Sequence, residues 1–339
     1  MKRIVATLLL ALVLHLSGEA QILITDPLLP TPSQPVIVYF DATMGTQGLL
    51  NYTGDVYAHT GLITDKSTNG TDWKYVKTNW AENTPETKLT RESANLYSLQ
   101  ITPNIRDYFG IPESETITHL AFVFRNEDGS KTGKDEGNAD IFAEVFEEGL
   151  QVKIQDPIEE ALIVNLNNLL RFEAVATLAD TMAIYLNGEF RKGVGPVNEI
   201  TDTLPTGEFG EFEVVVWAAD QENEVRDTLV YIVRSEPVVE ELPDGVIDGI
   251  NYLSETSVIL SLFAPGKDYV FAIGDFSEWY PRESYYMKKT PDGNRFWIRI
   301  DNLEPGEIYR FYYLVDGDLP MPDPNTELLT PPRPRSGDH

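Results

Sequence analysis

Beyond its first twenty residues the chain repeats one pattern. Short apolar runs alternate with polar positions and are separated by Gly, Pro, Asn and Asp. A side-chain period of two is that of a half-buried β-strand. The pattern places strands over Val36–Phe40, Leu120–Phe124, Ala183–Leu186, Val214–Trp217, Val258–Phe263, Phe296–Ile300 and Ile308–Val315. Asn187-Gly188, between Tyr185-Leu186 and Glu189-Phe190, predicts a tight hairpin, because a two-residue type I′ turn needs positive φ at both positions. One helix is predicted, from Pro103 to about Phe109, with Thr102 as cap and Gly110 and Pro112 as stop. An α/β barrel would need repeated strand–helix alternation over about 250 residues, and the pattern has none. The expected fold class is all-β, three sandwiches in series.

Turn-rich, apolar-poor stretches set the expected boundaries. Asp26–Pro35, with Pro27, Pro30, Pro32 and Pro35, leads into a first unit over 21–155, and Asp156-Pro157 opens a second over 156–235. Residues 236–249 hold Pro237, Pro243, Gly245, Gly249 and several acidic side chains, which reads as a semi-rigid acidic linker. A third unit covers 250–323. These spans, roughly 130, 80 and 75 residues, each suit one sandwich. The tail over 324–339, rich in Pro and Arg, lacks apolar periodicity and is expected to be disordered.

The amino terminus carries a different signal. Lys2 and Arg3 precede an apolar run from Ile4 to Leu16, and Gly18-Glu19-Ala20 supplies small residues at −3 and −1. This predicts a secretory signal peptide over 1–20, cleaved after Ala20, since the run is shorter than the about 20 residues of a membrane span. Lys and Arg number 26 against 54 Asp and Glu, a net charge of −28. That excess excludes nucleic acid as an expected partner, because phosphate contacts need clustered Lys and Arg, and it disfavours anionic membranes. With no cysteine, disulfides, thiolate nucleophiles and Cys-ligated zinc are ruled out. Of four histidines, only His59 and His119 are central, and neither sits in a nucleophile motif.

Candidate chemistry then rests on aromatic side chains. A β-sandwich binds sugar by offering a flat ring to the C–H side of a pyranose, with flanking polar groups on the hydroxyls. In Asp55–His59, alternation puts Asp55, Tyr57 and His59 on one face. After a Gly/Asn/Thr-rich loop come Trp73, Tyr75, Lys77 and Trp80, and the first three share a face if that stretch is extended. The competing reading is that Trp73 or Trp80 plugs the core. Trp217, within an apolar strand, is expected in the core of the second unit. Asn126–Gly129 and Asp135–Asp140 offer clustered oxygen ligands of the kind Ca²⁺ takes, but without EF-hand spacing. They are read as turns with solvated side chains, and no cofactor is expected. Asn51-Tyr52-Thr53 and Asn69-Gly70-Thr71 match the glycosylation sequon and are read as loop residues. Glycosidase chemistry needs two carboxylates about 5–5.5 or 6.5–9.5 Å apart in a cleft. Among 54 acidic residues abundance alone singles out no such pair.

A family resemblance adds to this. The third unit reads "SVILSLFAPGKDYVFAIGDFSEWYP" and then "MKKTPDGNRFWIRIDNLEPGEIYRFYYLVDG". It resembles the early-set module that precedes the barrel in alpha-amylase-type enzymes of glycoside hydrolase family 13, also classed as a family-48 carbohydrate-binding module. "GDFSEWYP", Gly274–Pro281, matches the module's "GDFNxW" signature with Ser277 in place of Asn. The resemblance implies two roles, glucan binding through Trp279 and Lys288 or Lys289, with Trp297 as the alternative ring, or packing against a barrel. The first unit looks like the N-terminal domain of secreted amylase-family proteins of Bacteroidetes-type bacteria, and the second like a generic immunoglobulin-like spacer.

The segments that carry the family's catalytic carboxylates, of the kinds "DxxxNH", "GxRxD" and "FxxNHD", do not occur, and Asn325 stands where the family has Tyr after Asp323-Pro324. The expectation is a non-catalytic accessory fragment of a secreted amylase-type enzyme. Its expected partners are a starch-like α-glucan and an amylase barrel. One alternative is an amylase whose barrel is encoded downstream; another is a structural spacer or docking protein that binds no glycan.

Overall fold

The computed structural model describes residues 21–158, 161–317 and 319–325. The expected signal peptide over 1–20, and the expected disordered tail from residue 326 on, lie outside the described residues. Within them the chain is all-β, as three antiparallel-dominated sandwiches in succession.

The first unit comprises β1 (Leu23–Asp26), β2 (Val36–Asp41), β3 (Val56–Thr64), β4 (Thr90–Arg91), β5 (Leu96–Ile101), the helix α1 (Ile105–Phe109), β6 (Ile117–Asn126), β7 (Thr132–Gly133) and β8 (Ile141–Glu144). One sheet runs β1-β2-β5-β4; the other runs β3-β6-β7, with β8 also on β6. Alternation decides the faces. Val36, Val38 and Phe40 of β2 meet Val56, Ala58 and Leu62 of β3 and Leu120, Phe122 and Phe124 of β6 in one core. Phe40 stacks on Phe124 at 4.2 Å between ring centroids. Each such fully buried ring contributes about 1.5–3 kcal/mol relative to exposure. The helix is capped two residues later than expected: the Asn104 side chain, not Thr102, accepts from the Asp107 amide, and Gly110 ends it at φ 73°. A residue in the left-handed region there closes the last turn without a Cβ penalty.

The second unit comprises β9 (Gln151–Asp156), β10 (Ala161–Val164), β11 (Leu170–Thr177), β12 (Thr181–Leu186), β13 (Glu189–Val194), β14 (Glu199–Leu204), β15 (Gly210–Ala219) and β16 (Glu224–Val233). Its sheets are β10-β16-β15-β12-β13 and β14-β11-β9, with β10 parallel to β16. Asn187 (φ 50°) and Gly188 (φ 79°) form the turn between β12 and β13. The boundary with the first unit falls earlier than the turn signals place it. Glu148 still binds Thr31 and the Ser33 amide of the first unit, while β9 already pairs with β11. Asp156-Pro157 thus ends a strand of the second unit instead of opening it. Trp217 also departs from expectation. Val214, Val216 and Ala218 fill the core, so alternation turns Trp217 to the outer face, where its indole N–H donates to Glu224 (3.1 Å).

The third unit comprises β17 (Gly249–Tyr252), β18 (Val258–Phe263), β19 (Val270–Gly274), β20 (Lys288–Lys289), β21 (Arg295–Ile300), β22 (Phe311–Val315) and β23 (Leu319–Met321). The sheets β17-β18-β21-β20 and β19-β22-β23 enclose Leu260, Leu262, Phe296 and Tyr313. Residues 236–249, expected as a linker, instead strap this unit. Val239 bridges in parallel to Lys289, Arg295 pairs with Asp248, and the Trp297 indole donates to the Glu240 carbonyl. Trp297 is left 4% exposed. The outer faces of the second and third units meet in a separate apolar seam. Ile163 and Ile232 pack with Phe271, Ile273, Tyr312 and Leu314.

Candidate functional site

The outward residues of β3 are Tyr57, His59, Gly61 and Ile63, opposite Arg125, Val123, Ala121 and His119 of β6. Phe142 of β8 lies across from Ala121. Over this face folds the long excursion between β3 and β4. It returns along the free edge of β3, where Lys74 pairs with Leu62, the Lys77 amide bonds Thr60 and Leu89 bonds Val56. Gly61 makes the approach feasible: a Cβ there would sit 3.1 Å from Val76 and 3.4 Å from the Trp73 ring.

The excursion brings Trp73 and Trp80 to either side of His59. Trp73 stacks on the imidazole at 5.7 Å between centroids, and Trp80 meets it edge-on at 5.3 Å. Phe142 extends the cluster beyond Trp73 at 6.4 Å. Neither tryptophan plugs the core. Trp80 is 50% exposed and Phe142 39%, and both lie on the solvent side of the sheet. The Trp73 indole N–H donates to the Gly70 carbonyl (3.1 Å), which fixes its ring in the 67–72 turn.

His59 is half-buried among these rings, with Nδ1 shielded from solvent and making no hydrogen bond. Burial, and secondarily the Arg125 charge, hold its pKa below the ordinary imidazole value. Beneath the cluster Arg125 is fully buried over the Tyr57 ring. Its guanidinium donates to the carbonyls of Glu82, Asn126 and Glu127 and to the Asn83 side chain. The fork thus ties the Trp80 loop to the 126–131 turn. Gly129 of that turn abuts the Trp80 indole.

The structure brings Tyr57, His59, Trp73 and Trp80 of the predicted residues together and separates the others. Tyr75 adopts φ 50°, which breaks the alternation and turns its ring against the core, its hydroxyl donating to Glu115 (2.7 Å). Lys77 donates to the Tyr108 carbonyl (2.6 Å) and covers that ring. The two residues expected to act jointly in the third unit also lie apart. Trp279 packs in the seam with its N–H on Asp275 (3.1 Å). Lys288 sits on the other sheet, paired with Glu240 and over Trp297.

The oxygen-rich turns are internally satisfied. Asp128 accepts from Ser130, Asp135 from the Glu136 amide, and Asp140 pairs with Lys134. Among the described residues no three His, Cys, Asp or Glu side chains are grouped to hold a metal ion. Phe142, Arg125 and Gly129 are neighbours of this cluster that sequence reading does not place there. Phe142 is legible in the alternation of β8, where Ile141 and Ala143 are buried and Phe142 and Glu144 exposed. Arg125 carries no such signal.

A family model described as "Domain of unknown function (DUF8578)" matches residues 26–132, which contain His59, Trp73 and Trp80. No curated protein matches the chain. Among solved structures the chain is similar to the fibronectin(III)-like modules of Clostridium thermocellum CbhA, at 20% identity over 25% of this chain and 96% of that one, with a TM-score of 0.21. It is also similar to a tandem of titin Ig domains (7% identity, 61% and 91% covered, TM-score 0.22). A third similarity is to the apo structure of Bacteroides uniformis beta-glucuronidase 3 (8% identity, 50% and 23% covered, TM-score 0.25). Among the described residues no helix is long and apolar enough to cross a membrane.

Proposed function

We propose that the chain is a secreted, non-catalytic carbohydrate-binding accessory region of an alpha-amylase-type glycoside hydrolase, and that its first unit holds a starch-like α-glucan. The observation that carries this reading is the solvent-facing aromatic cluster of Trp80, Trp73 and Phe142 around His59. Rings fixed by packing offer apolar area to pyranose C–H groups without losing side-chain freedom on binding. The choice of α-glucan rests on the amylase-module resemblance of the third unit, and secretion on the predicted signal peptide. A single shallow site of this kind gives Kd values of about 1 mM to high μM, roughly −4 to −6 kcal/mol.

The test is affinity electrophoresis of the purified chain in gels with amylopectin, glycogen, a β-glucan or no polysaccharide. Retardation by the α-glucans alone, lost in Trp80→Ala at an unchanged melting temperature, is the expected result. Absence of retardation in every gel would overturn the reading in favour of a spacer or docking protein.

A further inference from the structure

The outer face of the five-stranded sheet in the second unit is divided between two environments. At one end Ile163 and Ile232 lie under the third unit, and Glu211, paired with Ile232 across the sheet, binds Arg282 of that unit. Four residues along β15, roughly 13 Å at strand rise, the same face is uncovered. Register places two cross-strand rows there. One is Phe190, Tyr185, Val215 and Thr228; the next is Gly193, Ala183, Trp217 and Arg226. Phe190 is 66% exposed and meets Tyr185 edge-on at 6.0 Å. Gly193 gives Phe190 its place: a Cβ there would lie 3.3 Å from the ring, so the phenyl lies across the glycine. Trp217 is held by Glu224, which also pairs with Arg226.

We propose that this open face, with Tyr185, Phe190 and Trp217 as its rings, is a second carbohydrate platform, taking uncharged pyranose units of the same polysaccharide that the first unit binds. The inference rests on the function proposed above. Two features favour this occupant. The face is continuous with the seam to the third unit, so an extended chain lying along it has a wall at one end. Its polar rim is mostly acidic, with Glu213 and Glu224 against an Arg226 already paired with Glu224. On a chain of net charge −28 that rim repels polyanions, whereas its carboxylates accept from sugar hydroxyls. Both platforms have the same construction, aromatic rings laid over a glycine on the solvent side of a sheet.

The test compares the purified chain with Phe190→Ala/Trp217→Ala, Trp73→Ala/Trp80→Ala and the quadruple variant in amylopectin gels, with melting temperature and sedimentation as controls. The expected result is that each double variant binds about tenfold more weakly, through loss of avidity, and that the quadruple variant is not retarded. Wild-type retardation in Phe190→Ala/Trp217→Ala overturns the second platform. A wild-type dimer that dissociates in this variant also overturns it, by assigning the face to a second copy. Normal retardation in Trp73→Ala/Trp80→Ala, with loss in the other pair, keeps the second platform and removes the first. No retardation of the wild type removes both.

Discussion

A Cβ on Gly129 would lie 2.6 Å from Nε1 of the Trp80 indole. Gly129 also holds φ 72°, in the left-handed region, so the turn needs glycine for its backbone and for its neighbour. Gly129→Ala is expected to cost about 1–2 kcal/mol in backbone strain alone and to displace Trp80 from His59. A lower melting temperature together with weaker retardation in amylopectin gels is the expected outcome. Unchanged binding by the folded variant would show that Trp80 does not depend on this turn.

Arg125 is the corresponding anchor from below. Removing its guanidinium leaves the Glu82 carbonyl without its donor, whereas the Asn126 and Glu127 carbonyls keep the Gly129 amide and the Asn83 side chain. Arg125→Met should therefore lower stability by about 1–3 kcal/mol, the range for leaving a polar group without its partner. Arg125→Lys should recover little, since an ammonium lacks the planar fork that reaches several carbonyls at once. Urea denaturation followed by tryptophan fluorescence measures both, and a loss below about 1 kcal/mol in Arg125→Met would refute the clamp.

The strands are readable because alternating burial, which the chain follows in β2, β8 and β9, is the physical condition for burying one face of a sheet. The aromatic cluster is half-readable. His59 and Tyr57 follow from alternation, but Trp73, Tyr75 and Lys77 do not share a face, because one positive φ at Tyr75 resets the period. Trp217 is misread for a related reason: apolar neighbours on both sides hide which parity faces the core until the partner sheet is known. The strap over Trp297 is not legible locally either. Proline and acidic residues suit an exposed linker, and only tertiary contacts with Lys288, Lys289 and Arg295 reveal its place.

His59 gives stability a pH dependence of known sign. Its folded pKa is below the ordinary value of 6.5 because burial disfavours the charged form. Between that lowered pKa and 6.5 the unfolded chain binds more protons than the folded one, so stability falls as pH falls. The contribution of the neutral imidazole is fully present above 6.5 and is lost as pH drops through the folded pKa. Melting temperatures between about pH 7 and pH 5 should decline less steeply in His59→Gln than in the wild type. Parallel profiles for the two proteins would mean that His59 does not titrate differently on folding.

The seam between the second and third units should make them unfold together. Ile163 and Ile232 bury against Phe271, Ile273, Tyr312 and Leu314, flanked by the Arg282–Glu211 ion pair and the Tyr286 hydroxyl on the Ser235 carbonyl (2.8 Å). Burial also raises the Tyr286 pKa to about 12, so the phenol stays a donor at neutral pH. Ile232 lies between the core residues Tyr231 and Val233 but faces the other way, so it can be changed without opening the core of its own unit. Ile232→Asp would place a carboxylate among apolar side chains with no donor provided for it, and separating the units relieves that cost. Calorimetry should show one joint transition for the two units in the wild type and two resolved transitions in Ile232→Asp. Ile232→Val, which keeps the seam apolar, should retain the joint transition with a cost of about 0.5–1.5 kcal/mol. If Ile232→Asp still melts in one step, the coupling runs through the strap and the flanking polar contacts, and the apolar seam is not what joins the two units.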